Sequence, residues 1–360
     1  MNNKSNEHLI IGTKASITVI AISLLFVSFF EPQQFITSIS FFMMVAVPVQ
    51  LLIASLWQCK MPEFAAKRKQ PIRGMLFMLF TVAAVLVIGP VLYLLPGRAI
   101  WPPTPMLMMF TILSVCVAFW VMIIWNAWPL TLFIRHPLIL GVVSLLLIYA
   151  VAYVLFTLLF DFRFMAGAGV YIEALDPKGL FDAWGILVYM VTTIGILQLL
   201  ANFDLWPFSR NPILMQQPFL GIVLSVTCLV LSALLQLFCV HVLAMDIVHF
   251  MVVVPITFIF GTILLQSMLQ RTAFGERKQP IKGLLAASTA WATGYVLYLG
   301  YKQVAPLVAG TMSAGAPTYE AEIWIASVLL AVTFPFLIAS AEFFEFWPFR
   351  KRGVSIELSS

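Results

Sequence analysis

The densest group of potential metal ligands in the sequence is Cys239, His241, Met245, Asp246, His249 and Met251. Asp246 and His249 are three positions apart, which puts them on one face of any helix that begins there. His241 closes the apolar run before them. Imidazole and carboxylate suit a divalent transition metal, and a Cys or Met donor shifts the preference to copper as Cu(I). The tentative metal set is therefore His241, Asp246 and His249, with copper or another transition metal as the cofactor class. Met43, Met44, Met106, Met108 and Met109 fall at the same expected membrane depth. A plainer reading makes Asp246 a helix N-cap and the methionines gap fillers. No ligand spacing here matches a specific metal motif. A haem is disfavoured, because His8 and His136 fall at the opposite end of the spans from His241 and His249.

A second signal is the pair Pro48 and Pro255, each inside a long apolar run. Proline in a helix interior frees a backbone carbonyl and kinks the helix. Interrupted helices at matching places in two repeats point to a transport path. Packing alone also accounts for proline in membrane helices.

A third signal recurs at the ends of apolar runs: Asn126 with Trp128-Pro129, Asp204 with Trp206-Pro207, and Glu345 with Trp347-Pro348. Proline stops the helix, and the tryptophan suits a headgroup layer with its ring buried and its N–H wet. The polar residue two positions before each tryptophan is placed to accept a hydrogen bond from a neighbouring helix end.

No paired-carboxylate metal motif, nucleophile elbow or phosphate-cradling glycine loop is present, so no catalytic residue is assigned. Charge within the apolar runs is scarce. Glu342, Glu345 and Asp204 fall near helix ends, and the remaining polarity is of the kind of Gln50, Gln198, Gln236 and Gln266. Proton relays and voltage sensors bury more charge than this.

These residues need a lipid-soluble frame. The 360 residues are 62% hydrophobic and only 10% charged, so the solvent for their surface is lipid. Ten apolar runs, near 10–30, 34–58, 72–95, 105–128, 137–160, 181–203, 218–241, 247–270, 281–303 and 320–344, predict ten membrane helices. The first run ends in Phe-Phe-Glu-Pro with no small-residue cleavage site, which favours a retained span over a signal peptide. Cys59, Cys116, Cys228 and Cys239 form no CxxC pair and no disulfide framework.

The runs repeat. Arg68-Lys69-Gln70-Pro71-Ile72-Arg73-Gly74 returns as Arg277-Lys278-Gln279-Pro280-Ile281-Lys282-Gly283. Val91-Leu92-Tyr93-Leu94 returns as Val296-Leu297-Tyr298-Leu299. The unit is a helical hairpin. Spans 1–4 match spans 7–10 as a parallel repeat, joined by the hairpin of spans 5 and 6. This divides one compact membrane domain into 1–128, 129–207 and 208–360.

One end of the spans carries most of the basic residues, among them Lys60, Lys67, Arg68, Lys69, Arg73, Arg135, Arg210, Arg271, Arg277, Lys278, Lys282, Arg350, Lys351 and Arg352. The other keeps Arg98, Arg163, Lys178 and Lys302. The positive-inside rule then puts both termini on the cytoplasmic side of the inner membrane. It also accounts for the net charge of +5 without a nucleic-acid partner.

The expected class is an all-α integral membrane protein. Its first functional reading is a permease for an apolar, amphipathic or uncharged small molecule, with the path between the two repeats near Pro48 and Pro255. Two readings stand as alternatives: the membrane subunit of a metal or redox enzyme, and a structural subunit that assembles with other membrane proteins.

Overall fold

The computed structural model describes residues 3–167, 169, 171–269, 274, 277–316 and 318–350. Arg271, Lys351 and Arg352 of the basic set lie outside them. Among the described residues ten long helices follow one another: α1 Asn3–Val27, α2 Pro32–Leu56, α3 Ile72–Leu94, α4 Pro105–Ile124 and α5 Pro137–Leu159, then α6 Ala183–Asn202, α7 Phe219–Val242, α8 Ile247–Met268, α9 Ile281–Ala309 and α10 Glu320–Phe343. Nine of them are long and apolar enough to cross a membrane. The exception is α9, which has 29 residues but is diluted by Ser288, Thr289, Thr293 and three tyrosines. The fold is thus the expected all-α, multi-pass membrane type.

Burial separates the helices into two classes. Between 67% and 78% of the apolar stretch is buried in α2, α4, α6, α8 and α10, against 22% to 28% in α1, α3, α5 and α7. The buried class forms a closed inner ring. Its packing order is α2, α4, α6, α8, α10 and back to α2. The other five helices lie outside, each seated over a joint of the ring. Thus α3 packs on α10 and α2, α5 on α2 and α4, and α7 on α4 and α6; α9 packs on α6 and α8, and α1 on α8 and α10. Each outer helix covers the inner helices of the two preceding hairpins, so the five hairpins interlock. Exposed Ile17, Leu79, Leu86, Val87, Leu146, Val226 and Val296 make the outer surface apolar. A bilayer accommodates that surface and water does not.

One contact repeats around the ring. A glycine near the start of four outer helices leaves room for the residue that ends an inner helix: Gly74 for Phe344, Gly141 for Trp57, Gly221 for Trp125 and Gly283 for Phe203; in α1, Gly12 makes room instead for the Met268 carbonyl that ends α8. A Cβ on Gly221 would stand 2.6 Å from Cε3 of Trp125, closer than real carbon atoms approach. Only a residue without a side chain fits.

The Trp-Pro motif ends a helix differently from expectation. Helicity stops at Trp125, Phe203 and Phe344, before the proline is reached. The next two residues are left-handed at each place: Asn126 and Ala127 (φ 46° and 55°), Asp204 and Leu205 (50° and 57°), Glu345 and Phe346 (49° and 63°). Gln58 and Cys59 do the same at the end of α2 (49° and 53°). Non-glycine residues adopt this conformation at a cost of about 1–2 kcal/mol each, so packing must hold the pair in place. A π turn precedes it in α2, α4 and α10, where the N–H groups of Trp57, Trp125 and Phe344 each donate five residues back at 2.9 Å. Proline therefore follows the stop and does not cause it.

Candidate functional site

The ring encloses an axis, and the inner helices can be placed in common register by counting back from Trp57, Trp125, Phe203, Leu269 and Phe344. Two positions back stand Ser55, Ile123, Ala201, Ser267 and Glu342. Ile123 and Glu342 are exposed and the other three half-buried, although Ile124, Asn202, Met268 and Phe343 beside them are buried. Six positions back stand Leu51, Phe119, Leu197, Ile263 and Ile338, all buried. Water thus reaches the first layer from the basic end, and an apolar girdle closes the second.

Deeper along the axis is a cavity of about 40 Å³. Every inner helix contributes to it: Met44 from α2, Ile112, Val115, Cys116 and Phe119 from α4, Val191 and Ile194 from α6, Ile259 from α8, and Leu330 and Phe334 from α10. That volume exceeds what one water needs, but its walls offer no polar partners, and such cavities stay dry. The girdle is tightened by Phe119 and Phe334, whose rings stack 6.3 Å apart between centroids.

The rim at the basic end is tied by side-chain amides. Gln70 Nε2 donates to the carbonyl of Phe343 (2.7 Å), while Gln70 Oε1 accepts from the N–H of Gly74 (3.3 Å). Gln217 bridges Ile124 and Gly221 in the same way (2.8 and 3.1 Å), and Gln279 bridges Asn202 and Gly283 (3.4 and 3.0 Å). Each glutamine satisfies one orphan carbonyl of an inner helix and one orphan N–H of an outer helix. At α5 the role passes to Trp57, whose Nε1 donates to the carbonyl of Pro137 at 2.8 Å.

Charges reinforce two of these ties. Arg73 pairs with Glu345, and Lys282 Nζ donates to Asp204 Oδ2 at 2.7 Å, where Gln279 also donates at 2.8 Å. The acids of the second and third Trp-Pro motifs therefore accept from neighbouring helix ends. The position facing Asn126 is Leu220, which has no charge to offer. Trp347 is half exposed, but Nε1 of Trp206 is buried without a partner among the described residues, against the expected wet N–H. Burial pushes the Cys59 thiol, beside the Glu342 carbonyl, up to about 12, which keeps it a neutral packing group.

Asp246 is the N-cap of α8. Its Oδ1 accepts from the N–H groups of Val248 and His249, each at 2.9 Å, and its Oδ2 accepts from Tyr319 O–H at 2.6 Å. Burial raises its pKa, but these donors outweigh burial and hold the carboxyl below its usual range. Tyr319 is pushed up to about 12, first by the carboxylate it donates to and then by burial. His241 and His249 are exposed, and Cys239 and Met251 are buried. Among the described residues no three His, Cys, Asp or Glu side chains converge as a metal cage. The described side chains do not bring His241, Asp246 and His249 together as a cage: Oδ1 of Asp246 caps α8 and Oδ2 is taken by Tyr319.

Pro48 and Pro255 sit at different depths. Pro48 is nine residues before Trp57, whereas Pro255 is fourteen before Leu269; the residue that matches Pro48 is Pro335, nine before Phe344. Pro255 lies against Gly195 of α6, at a helix joint and not on the cavity wall. The axis was not legible in sequence, since both helix classes are apolar. The one signal for it is the recurrent glycine that begins each outer helix.

Ring, girdle and cavity define the class: a multi-pass helical membrane protein with an apolar axis. No protein-family profile, no curated protein and no solved structure matches the chain.

Proposed function

We propose that the chain is a permease of the inner membrane for an apolar, amphipathic or uncharged small molecule, its path running along the axis of the inner ring. The observation that carries this reading is the axial cavity, walled by all five inner helices with apolar side chains and a single thiol, Cys116. A path lined this way excludes small hydrated ions and polar solutes by dewetting, as hydrophobic constrictions in channels do. The basic end is cytoplasmic by the positive-inside rule. Segments 1–128, 129–207 and 208–360 then contribute two, one and two hairpins to a single ring. The likeness of spans 1–4 to 7–10 is part of that five-unit repetition. Pro48 and Pro255 serve as bend points of α2 and α8, which lets the ring dilate at its joints.

The test is flux of neutral, cationic and anionic apolar dyes through proteoliposomes of the purified chain. Flux of at least one dye above protein-free vesicles is expected, with a loss of about tenfold on Ile194→Trp, which fills the cavity. Flux that survives both Ile194→Trp and Val191→Trp unchanged overturns the axial path.

A further inference from the structure

Among the described residues, Glu342 is the one charged residue within the inner helices at their basic end. From α2 to α8 no Asp, Glu, Lys or Arg falls within an inner helix, and in α10 the others, Glu320 and Glu322, lie at the opposite end. Those two are committed to the loop before α10, where Glu320 accepts from Ser313 and Glu322 from the N–H of Gly315. The Glu342 carboxylate, by contrast, makes no hydrogen bond or ion pair with a described residue, and it is exposed between buried Ala341 and Phe343. In the ring register it shares its level with Ser55, Ile123, Ala201 and Ser267, none of which is charged. The nearest cation in its field, Arg73, is paired with Glu345, donates to the Cys59 carbonyl at 3.3 Å and stands over Phe77. Arg73 and Glu345 pair with each other, so neither neutralises the carboxylate of Glu342 when it is ionised.

An unpaired ionisable group inside a membrane domain is costly and marks a ligand site by default. Four residues deeper, about 6 Å along a helix, the mouth ends on the apolar girdle with Phe119, and Phe334, which stacks on Phe119, stands a further turn down α10. We propose that Glu342 binds the cationic head of an amphipathic substrate whose apolar body rests on the girdle. The ligand class is a lipophilic cation or an amine carried on an apolar skeleton. Anions are repelled at the mouth, and neutral molecules of the same shape gain only the girdle. This rests on the axial permease reading and narrows its substrate.

The test is binding of tetraphenylphosphonium, neutral triphenylphosphine oxide and tetraphenylborate to the detergent-purified full chain by equilibrium dialysis. The cation is expected to bind about tenfold tighter than the neutral probe, and the anion weakest. Glu342→Gln should bring the cation down to the neutral probe's affinity without moving the neutral probe, and Glu342→Asp should restore part of the preference. Equal binding of cation and neutral probe by the natural chain overturns the proposal, whatever the variants do. So does a cation preference that Glu342→Gln leaves intact. If neutral-dye flux persists in either case, the permease reading survives alone; no flux of any dye removes that reading instead.

Discussion

Phe119 of α4 and Phe334 of α10 stack with their ring planes 27° apart, although α2 stands between their helices in the inner ring. Two helices so placed meet across the lumen. Both rings line the axial cavity, so the pair is a lid on its basic-end side. Stacked aromatics of this kind add about 0.5–1.5 kcal/mol beyond the area they bury.

Phe334→Ala should therefore raise flux of an apolar dye by about tenfold, the factor expected if the lid contributes about 1.4 kcal/mol to the barrier. Phe334→Leu keeps the bulk and should change flux much less. In a double-mutant cycle on thermal stability, Phe119→Leu and Phe334→Leu should couple, because the two side chains touch. Additive effects would mean that the stack holds nothing together.

The glycine–aromatic contact makes a prediction about assembly. Gly221→Val should lower the yield of folded protein sharply, because its Cβ meets the Trp125 ring. The partner change Trp125→Ala opens space and should rescue part of the loss. Gly300, with open space around its Cβ site, is the control: Gly300→Ala should fold normally. Detergent size-exclusion profiles of the four variants decide the matter.

Much of this arrangement was readable from the chain and some was not. Helical membrane character followed from composition, and helix starts and ends from the returning Gln-Pro-x-x-Gly and Trp-Pro stretches. The acceptor role of Asp204 and Glu345 followed from their place before those tryptophans. The inner ring did not, because exposed Leu86 of an outer helix and buried Leu51 of an inner one are the same residue type. Hydropathy separates lipid from water but not lipid from protein interior. The tie at α5 was not legible, because it uses the Trp57 indole in place of a glutamine amide. Proximity in sequence cannot tell a capping carboxylate such as Asp246 from a metal ligand beside His241 and His249.

The ion pairs at the rim should respond to charge reversal. Arg73 is only 19% exposed on its side chain and Glu345 43%, so their pair is screened less than a surface one. Arg73→Glu alone should destabilise the chain, since it sets two acids together beside Glu342. Arg73→Glu with Glu345→Arg should recover most of the loss, in a cycle worth about 1 kcal/mol. Thermal unfolding in detergent at low and high salt reads both the coupling and its screening.

The link between Asp246 and Tyr319 ties the start of α8 to the start of α10, and its two groups set the pH range over which it holds. Asp246 titrates below its ordinary value, so its contribution is full above about pH 4, the unfolded value, and is lost as pH falls through the folded one. Tyr319 is raised to about 12, so its contribution is full below the unfolded value of about 10 and vanishes as pH climbs to about 12. Tyr319→Phe removes the hydroxyl and leaves the N-cap bonds to Val248 and His249 in place. The variant should be less stable by about 1 kcal/mol across the neutral range. That gap should close below about pH 4 and above about pH 10, where the natural chain loses the bond too. A gap that stays constant from pH 3 to 11 would show that the hydroxyl acts by packing and not by its bond to the carboxylate.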